Sequence, residues 1–358
     1  MQNRRRFLTT ALAASALPKL GWADAGTPAY LAAAREPDGT FALFGLSRTA
    51  TPVFRIPLPG RGHAAAAHPH APEAVAFARR PGHFALIIDC NQGQIIHRLS
   101  APEGHHFYGH GVYIADGDIL CTTENDIGTG AGRIGLWSRT DGYRRIGEFS
   151  SGGIGPHDIL QLGDDVLAVA NGGIRTHPAH GREKLNLDTM RPNLSYLTNS
   201  GAILERVELA PELYQNSIRH LAAAPDGTLA FAMQWQGDVA DPVPLLGLHR
   251  RGEQVILAHA DLVESIAMQG YAGSIAIDGS GTRIALTSPR GGRVQIYDRS
   301  GNLRSVQRRA DACGVALRID AGFTVTDGLG GTWSLTNERL EPVRRADLAW
   351  DNHLIAIS

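Results

Sequence analysis

The chain has 358 residues, 34 of them basic and 35 acidic, for a formal net charge of -1 at pH 7. That balance excludes the basic field needed to attract nucleic acid or anionic lipid, and 42 glycines with 43% hydrophobic residues describe a turn-rich globular chain, not a disordered one. Fifteen histidines are the compositional outlier; imidazole is both the commonest metal ligand and a proton carrier near neutral pH.

At the N-terminus, Asn3-Arg4-Arg5-Arg6-Phe7-Leu8 sets an arginine pair ahead of a weakly apolar stretch from Thr9 to Leu17. This resembles a twin-arginine export signal, with Ala23-Asp24-Ala25 as a small-x-small cleavage site and mature protein beginning near Gly26. The apolar run is too short to span a bilayer, so no transmembrane span is expected. A general secretory signal or an uncleaved anchor are the alternatives to the twin-arginine route. Residues 1–25 are therefore assigned to a signal peptide, and the protein is expected in the periplasm.

From residue 26 one unit recurs: a strand of small residues, a turn with Asp-Gly or Gly-Asp, and three further short strands. The first strands begin at Gly62-His63-Ala64, Gly109-His110-Gly111, Pro156-His157-Asp158, Arg219-His220-Leu221, Gly273-Ser274-Ile275, Cys313-Gly314-Val315 and Asn352-His353-Leu354. His63 to His110 and His110 to His157 are each 47 residues, and His157 to His220 is 63. A repeat of roughly 40 to 50 residues is the length of one four-stranded blade. The expectation is an all-β fold of residues 26–358, a seven-bladed β-propeller.

The seventh unit has one strand before the chain ends, whereas residues 28–58 supply three strands with no inner partner. Together they make one blade closed by N- and C-terminal strands, a device that removes open sheet edges. A pair of β-sandwiches is the competing architecture. The long third interval is attributed to an insertion loop in blade three, residues 174–196, bearing Arg175, His177, His180, Arg182, Lys184 and Arg191 and able to cover a channel mouth.

The first strand of each propeller blade lines the central channel, so His63, His110, His157, His220 and His353 should face one another across the axis. Neutral imidazoles suit iron, copper, zinc or nickel better than calcium or magnesium. Iron or copper is the first expectation for the metal ion and zinc the next. Three or four ligands plus water are expected, because opposite inner strands stand far apart. Alternatively the rings fill a wet channel and bond through ordered water.

Asp158 follows His157, and Glu124-Asn125-Asp126 is read as following the second strand of blade two; such carboxylates orient imidazoles or cap turns. Arg219, Arg175 and His177 are further candidates for bracing or access, while His105-His106 and His68-Pro69-His70 are expected in loops. Cys90, Cys121 and Cys313 form no C-x-x-C or C-x-x-C-H motif, which excludes zinc ribbons and c-type haem attachment. A Cys90–Cys121 disulfide after export stays open, with buried free thiols as the preferred reading. No G-x-S-x-G, P-loop or H-E-x-x-H motif occurs in the chain.

The segments Gly109-His110-Gly111-Val112, Thr123-Glu124-Asn125-Asp126, Gly155-Pro156-His157, Asn171 to Pro178, Lys184 to Met190, Ser217-Ile218-Arg219-His220, Ser288 to Gly292 and Cys313-Gly314-Val315-Ala316 run through nearly the whole mature chain. In them the protein resembles an uncharacterised family of exported bacterial propeller proteins. The resemblance implies an association with imelysin-type iron-regulated proteins and haem-containing oxidoreductases, and hence with periplasmic iron acquisition. Three functions are open at this point: a metal-binding or delivery protein, an enzyme using the same metal as redox centre or Lewis acid, and a scaffold that docks a periplasmic iron-uptake partner.

Overall fold

The computed structural model describes residues 20–79, 83–163, 165–181 and 183–357; the arginine motif at residues 4–6 and Arg182 lie outside the described residues. The strands form seven four-stranded antiparallel sheets arranged as a seven-bladed β-propeller. The competing sandwich architecture is thereby discarded. Blades one to six run in chain order, each from its inner to its outer strand: residues 62–99, 105–154, 156–208, 216–257, 274–308 and 312–345.

Blade seven is the expected closure. Its inner strand is Ala349–Ala356, which pairs with Tyr30–Arg35, followed outward by Phe41–Leu46 and Pro52–Leu58. Tight hairpins rest on glycines that accept positive φ, as at Asp38-Gly39 (φ 87°) and Asp226-Gly227 (φ 84°). Among the described residues, no helix is long and apolar enough to cross a membrane.

Apolar side chains collect between blades and leave the axis polar. Seven core clusters form among the described residues, one at each blade interface; Phe77, Ile87 and Trp137, for example, join blades one and two. The inner strands crowd together at the axis, which explains runs of small residues such as Ala64–Ala67. Outer strands show the alternation of a sheet wetted on one face, as in Ile203–Glu208.

Two placements differ from the sequence reading. The insertion ends before Asn193, because Asn193–Thr198 is the third strand of blade three and pairs with Val166–Asn171. His105 and His106 open the ten-residue inner strand of blade two and are not loop residues. Trp22 and Ala25, upstream of the expected cleavage point, pack on the core between blades seven and one, and the Trp22 indole donates to the His68 carbonyl at 2.9 Å.

Candidate metal centre

Six of the seven inner strands are interrupted by a register shift at the channel; the inner strand of blade five, Ser274–Ile277, pairs without a break. A β-bulge re-aims side chains that the pleat would otherwise send to alternate faces. His63, His110, His157 and His353 lie inside such interruptions, and His220 directly follows one. Blade six has Cys313-Gly314 at the corresponding place. Five consecutive blades, seven and one to four, therefore contribute histidine and two contribute none.

The five rings form a single knot. Four close a circuit, with ring centroids 5.6 Å apart for His63 and His157, 4.7 Å for His157 and His220, 4.6 Å for His220 and His353, and 4.6 Å for His353 and His63. His110 packs against all four, at 4.9, 4.8, 5.8 and 4.9 Å from His63, His157, His220 and His353. The arrangement is pyramidal, with His110 at its apex. Space for it comes from Gly109, whose φ is +98° and where a Cβ would stand 2.8 Å from His63 Cδ2.

Asp158 orients the apex. Its Oδ1 accepts from His110 Nδ1 at 3.1 Å and its Oδ2 from the Leu221 amide at 3.0 Å, so one carboxylate ties blades two, three and four together. Burial alone would raise the Asp158 carboxyl; His110, His220 and the Leu221 amide outweigh it and hold the group below its usual value. A proton on Nδ1 leaves Nε2 of a neutral His110 as a lone pair facing His63 Nε2, 3.2 Å away. His63 Nδ1, His157 Nδ1, His220 Nδ1 and His353 Nε2 are all buried without a hydrogen-bond partner among the described residues.

Desolvation is the first cause that keeps these rings neutral. It lowers His220 to about 3, with His110 and Arg219 adding to it and Asp158 opposing. His63, His157 and His353 are likewise held well below the ordinary imidazole value by burial, followed by their neighbours in the knot and by Arg79 or Arg219. Neutral imidazole is the form that ligates.

Donor atoms of His63, His110 and His157 lie within 4.8 Å of one another, as do those of His110, His220 and His353. An ion at about 2.1 Å from each nitrogen in tetrahedral geometry needs about 3.4 Å between ligands. The His63–His110 pair already stands near that spacing, at 3.2 Å.

The remaining candidates from sequence are placed elsewhere. The Glu124 carboxylate is fully buried within blade two, accepting from Arg145 at 2.8 and 3.0 Å and from Thr122 Oγ1 at 2.6 Å. Arg175 crosses to blade two and donates to the Gly128 carbonyl, and His177 Nδ1 accepts from Ala179 N in the turn it caps. From the insertion loop it is Lys184 that lines the channel mouth, together with Arg219. Cys90, Cys121 and Cys313 are free and buried, and burial pushes each thiol up to about 12, so no disulfide forms and Cys313 presents no thiolate to the channel.

The knot divides the channel into two chambers. One, of about 550 Å³, has His63, His157 and His220 in its wall and is otherwise lined mainly by cationic and polar groups, with Trp235 and Pro289 beside them. The other, of about 320 Å³, meets His110, His220 and His353 and is lined by small apolar side chains such as Ala66, Val315 and Ile355. Sequence reasoning named Arg219 and Lys184 but missed Arg61, Arg79 and Arg290; for Arg61 the signal available was an arginine immediately before the inner strand Gly62–Ala67.

No curated protein matches the chain. A sequence model for a family described as "Protein of unknown function (DUF1513)" matches residues 56–357, six of the seven blades and the inner strand of the seventh.

Proposed function

Starting from a chain that belongs to the DUF1513 family, we propose that the protein is an exported binding protein for a transition-metal ion, held by His63, His110, His157, His220 and His353. The observation that carries this reading is a set of four rings, each with a buried nitrogen that has no hydrogen-bond partner among the described residues, packed around a fifth ring that Asp158 orients. Buried polar atoms are normally satisfied, and each exception calls for a ligand, an ion or a water. Five neutral imidazoles form a donor set for iron, copper or zinc.

Three or four of the rings hold the ion at any one time, since the two sets of mutually close donors share only His110. Asp158 fixes the His110 tautomer, as carboxylates behind ligating histidines commonly do. Iron or copper in the periplasm is the cargo we favour, with an imelysin-type protein of that compartment as the partner. The twin-arginine motif supports the route, because that pathway carries folded proteins with their cofactors already installed.

Elemental analysis of protein purified after export in its native host tests the reading. Near-stoichiometric iron, copper or zinc is expected in the wild type, and its loss in the His157→Ala, His220→Ala double variant. Equal metal content in the two proteins, including none in either, sinks the proposal.

A further inference from the structure

The larger chamber is built for negative charge. Arg61, Arg79, Lys184, Arg219 and Arg290 all contribute to its lining, and no carboxylate lines it among the described residues. Asp351 stands behind the wall: it accepts from Arg61 Nε and from Arg79 Nη1, the latter at 2.9 Å. One carboxylate against two guanidiniums leaves the pair with a net positive charge. A guanidinium has five N–H donors, and each of these arginines gives one to Asp351, so donors remain for a ligand. Arg290 is stacked over the Tyr271 ring at 4.5 Å, and Asn352 Nδ2 donates to the Tyr271 hydroxyl at 3.2 Å. The cation is thereby held in place before any ligand arrives.

Concentrating like charges in a concave site is unfavourable unless a counter-charge enters it. Planar guanidinium groups match carboxylate and phosphate in two-pronged hydrogen bonds. The chamber volume of about 550 Å³ lies within the range of small-molecule sites and exceeds what a single inorganic ion fills. We infer that this chamber binds a small, multiply charged oxyanion, a di- or tricarboxylate or a phosphate ester, between the arginine wall and the histidine knot.

The location gives the anion a second role, which rests on the metal reading above. Neutral imidazoles bring no negative charge to a divalent or trivalent ion, and the nearby Asp158 is a single carboxylate already engaged by His110. Arg79 and Arg219 line the same chamber wall as His63 and His157, so a cation held by these rings meets the positive charge of that wall. An oxyanion in the chamber supplies the missing charge, so anion and metal reinforce each other's binding, reciprocally.

The test uses metal-free full-length mature protein, titrated calorimetrically with succinate and with inorganic phosphate at low and moderate salt, and with glycerol as the uncharged control. Binding of at least one oxyanion at one site per chain is expected, weakened about tenfold or more in Arg290→Gln and in Arg61→Gln. Unchanged thermal unfolding of each variant certifies its fold; where one unfolds, Lys184→Gln replaces it. No heat from either oxyanion, or affinities indifferent to all these substitutions, overturns the assignment. Preference for phosphate over succinate, or the reverse, identifies which oxyanion chemistry the chamber takes.

The coupling is read separately, with Zn2+ as the probe ion in a chelator competition, with and without saturating succinate. An affinity at least about tenfold higher with succinate supports it, and identical affinities refute it. Anion binding without any Zn2+ binding leaves the oxyanion site standing and removes the metal reading alone.

Discussion

Among the described residues, two parts of the molecule bring metal-type donors together, and they differ in how many of those donors are left available. In the channel, His63, His110 and His157 share donor distances within 4.8 Å, as do His110, His220 and His353; in blade two, His105, Glu124 and Glu148 do the same. In blade two the carboxylates are already spent, while His105 Nδ1 is buried without a partner among the described residues. Glu124 takes three hydrogen bonds from Arg145 and Thr122, Glu148 accepts from Arg145 at 2.7 Å, and His105 Nε2 stands 3.8 Å from Glu148. In the channel, four ring nitrogens have no partner among the described residues. Proximity of donors is therefore not sufficient; what distinguishes the channel is several neighbouring rings whose own bonding is incomplete, against one such ring beside engaged carboxylates in blade two.

The sharpest way to break that comparison is to remove the apex ring. His110→Ala should abolish retention of the ion, a loss on the order of 10³-fold or more in affinity, about 4 kcal/mol, measured by chelator competition. His105→Ala should leave metal affinity unchanged in the same assay. Equal effects of the two substitutions would show that the contrast has been misread.

Next in size is the opposite dissection. Glu124→Ala strips a buried ion pair of its acid, at a cost of about 3 kcal/mol of folding stability by denaturant unfolding. The low end of the usual range applies because Arg145 keeps Glu148. Metal content should not change. A Glu124→Ala protein that keeps its stability but loses metal would transfer the function to blade two.

Asp158→Asn is expected to weaken metal binding by about 10–100-fold, the usual cost of removing a carboxylate behind a ligating histidine. The amide can present its NH2 to His110 and disturb the tautomer, while the chamber cations are untouched. Retained affinity would show that packing, not Asp158, orients the apex.

The smallest effect per step is with pH. In the metal-free protein His220 titrates near 3 when folded, against an ordinary value of 6.5, so the unfolded chain takes up protons first. Stability is then fully present above pH 6.5 and is lost as pH falls toward 3, by about 1.4 kcal/mol per pH unit for each such histidine. His63, His157 and His353 are lowered in the same direction and steepen the loss. Unfolding midpoints measured from pH 7.5 down to 4.5 should fall continuously, and less so in His220→Ala. A flat profile would mean that the rings are solvated and not desolvated.

Much of this was readable before any coordinates. Each of the seven inner strands falls on a segment read from the repeat, though some begin up to four residues earlier, and the three orphan strands of residues 28–58 close on the C-terminal strand as expected. These are consequences of short-range pattern, since small residues, turn glycines and two-residue alternation repeat with each blade. His63, His110, His157, His220 and His353 were legible for the same reason, because a fixed place on an inner strand fixes distance from the axis. Glu124 was misleading as a candidate for the ring: it lies inside the strand Ile119–Asp126 and not after it, and its bond to Arg145, 21 residues later, is not visible in sequence.

The sequence by itself determined the fold, the number of blades and which residues approach the axis. Tertiary structure alone decided how they meet. The repeat does not encode height along the channel, side-chain direction at a bulge, or the choice of neighbours across blades. Those depend on register shifts at the inner strands, on Gly109 leaving room for His63, and on Asp158 reaching from blade three to His110 in blade two. Convergence of five rings into one knot, with a cationic chamber beside it, is a property of side chains distant in sequence. No local pattern carries that information, because the strands that share the axis are joined only by the closure of the whole ring.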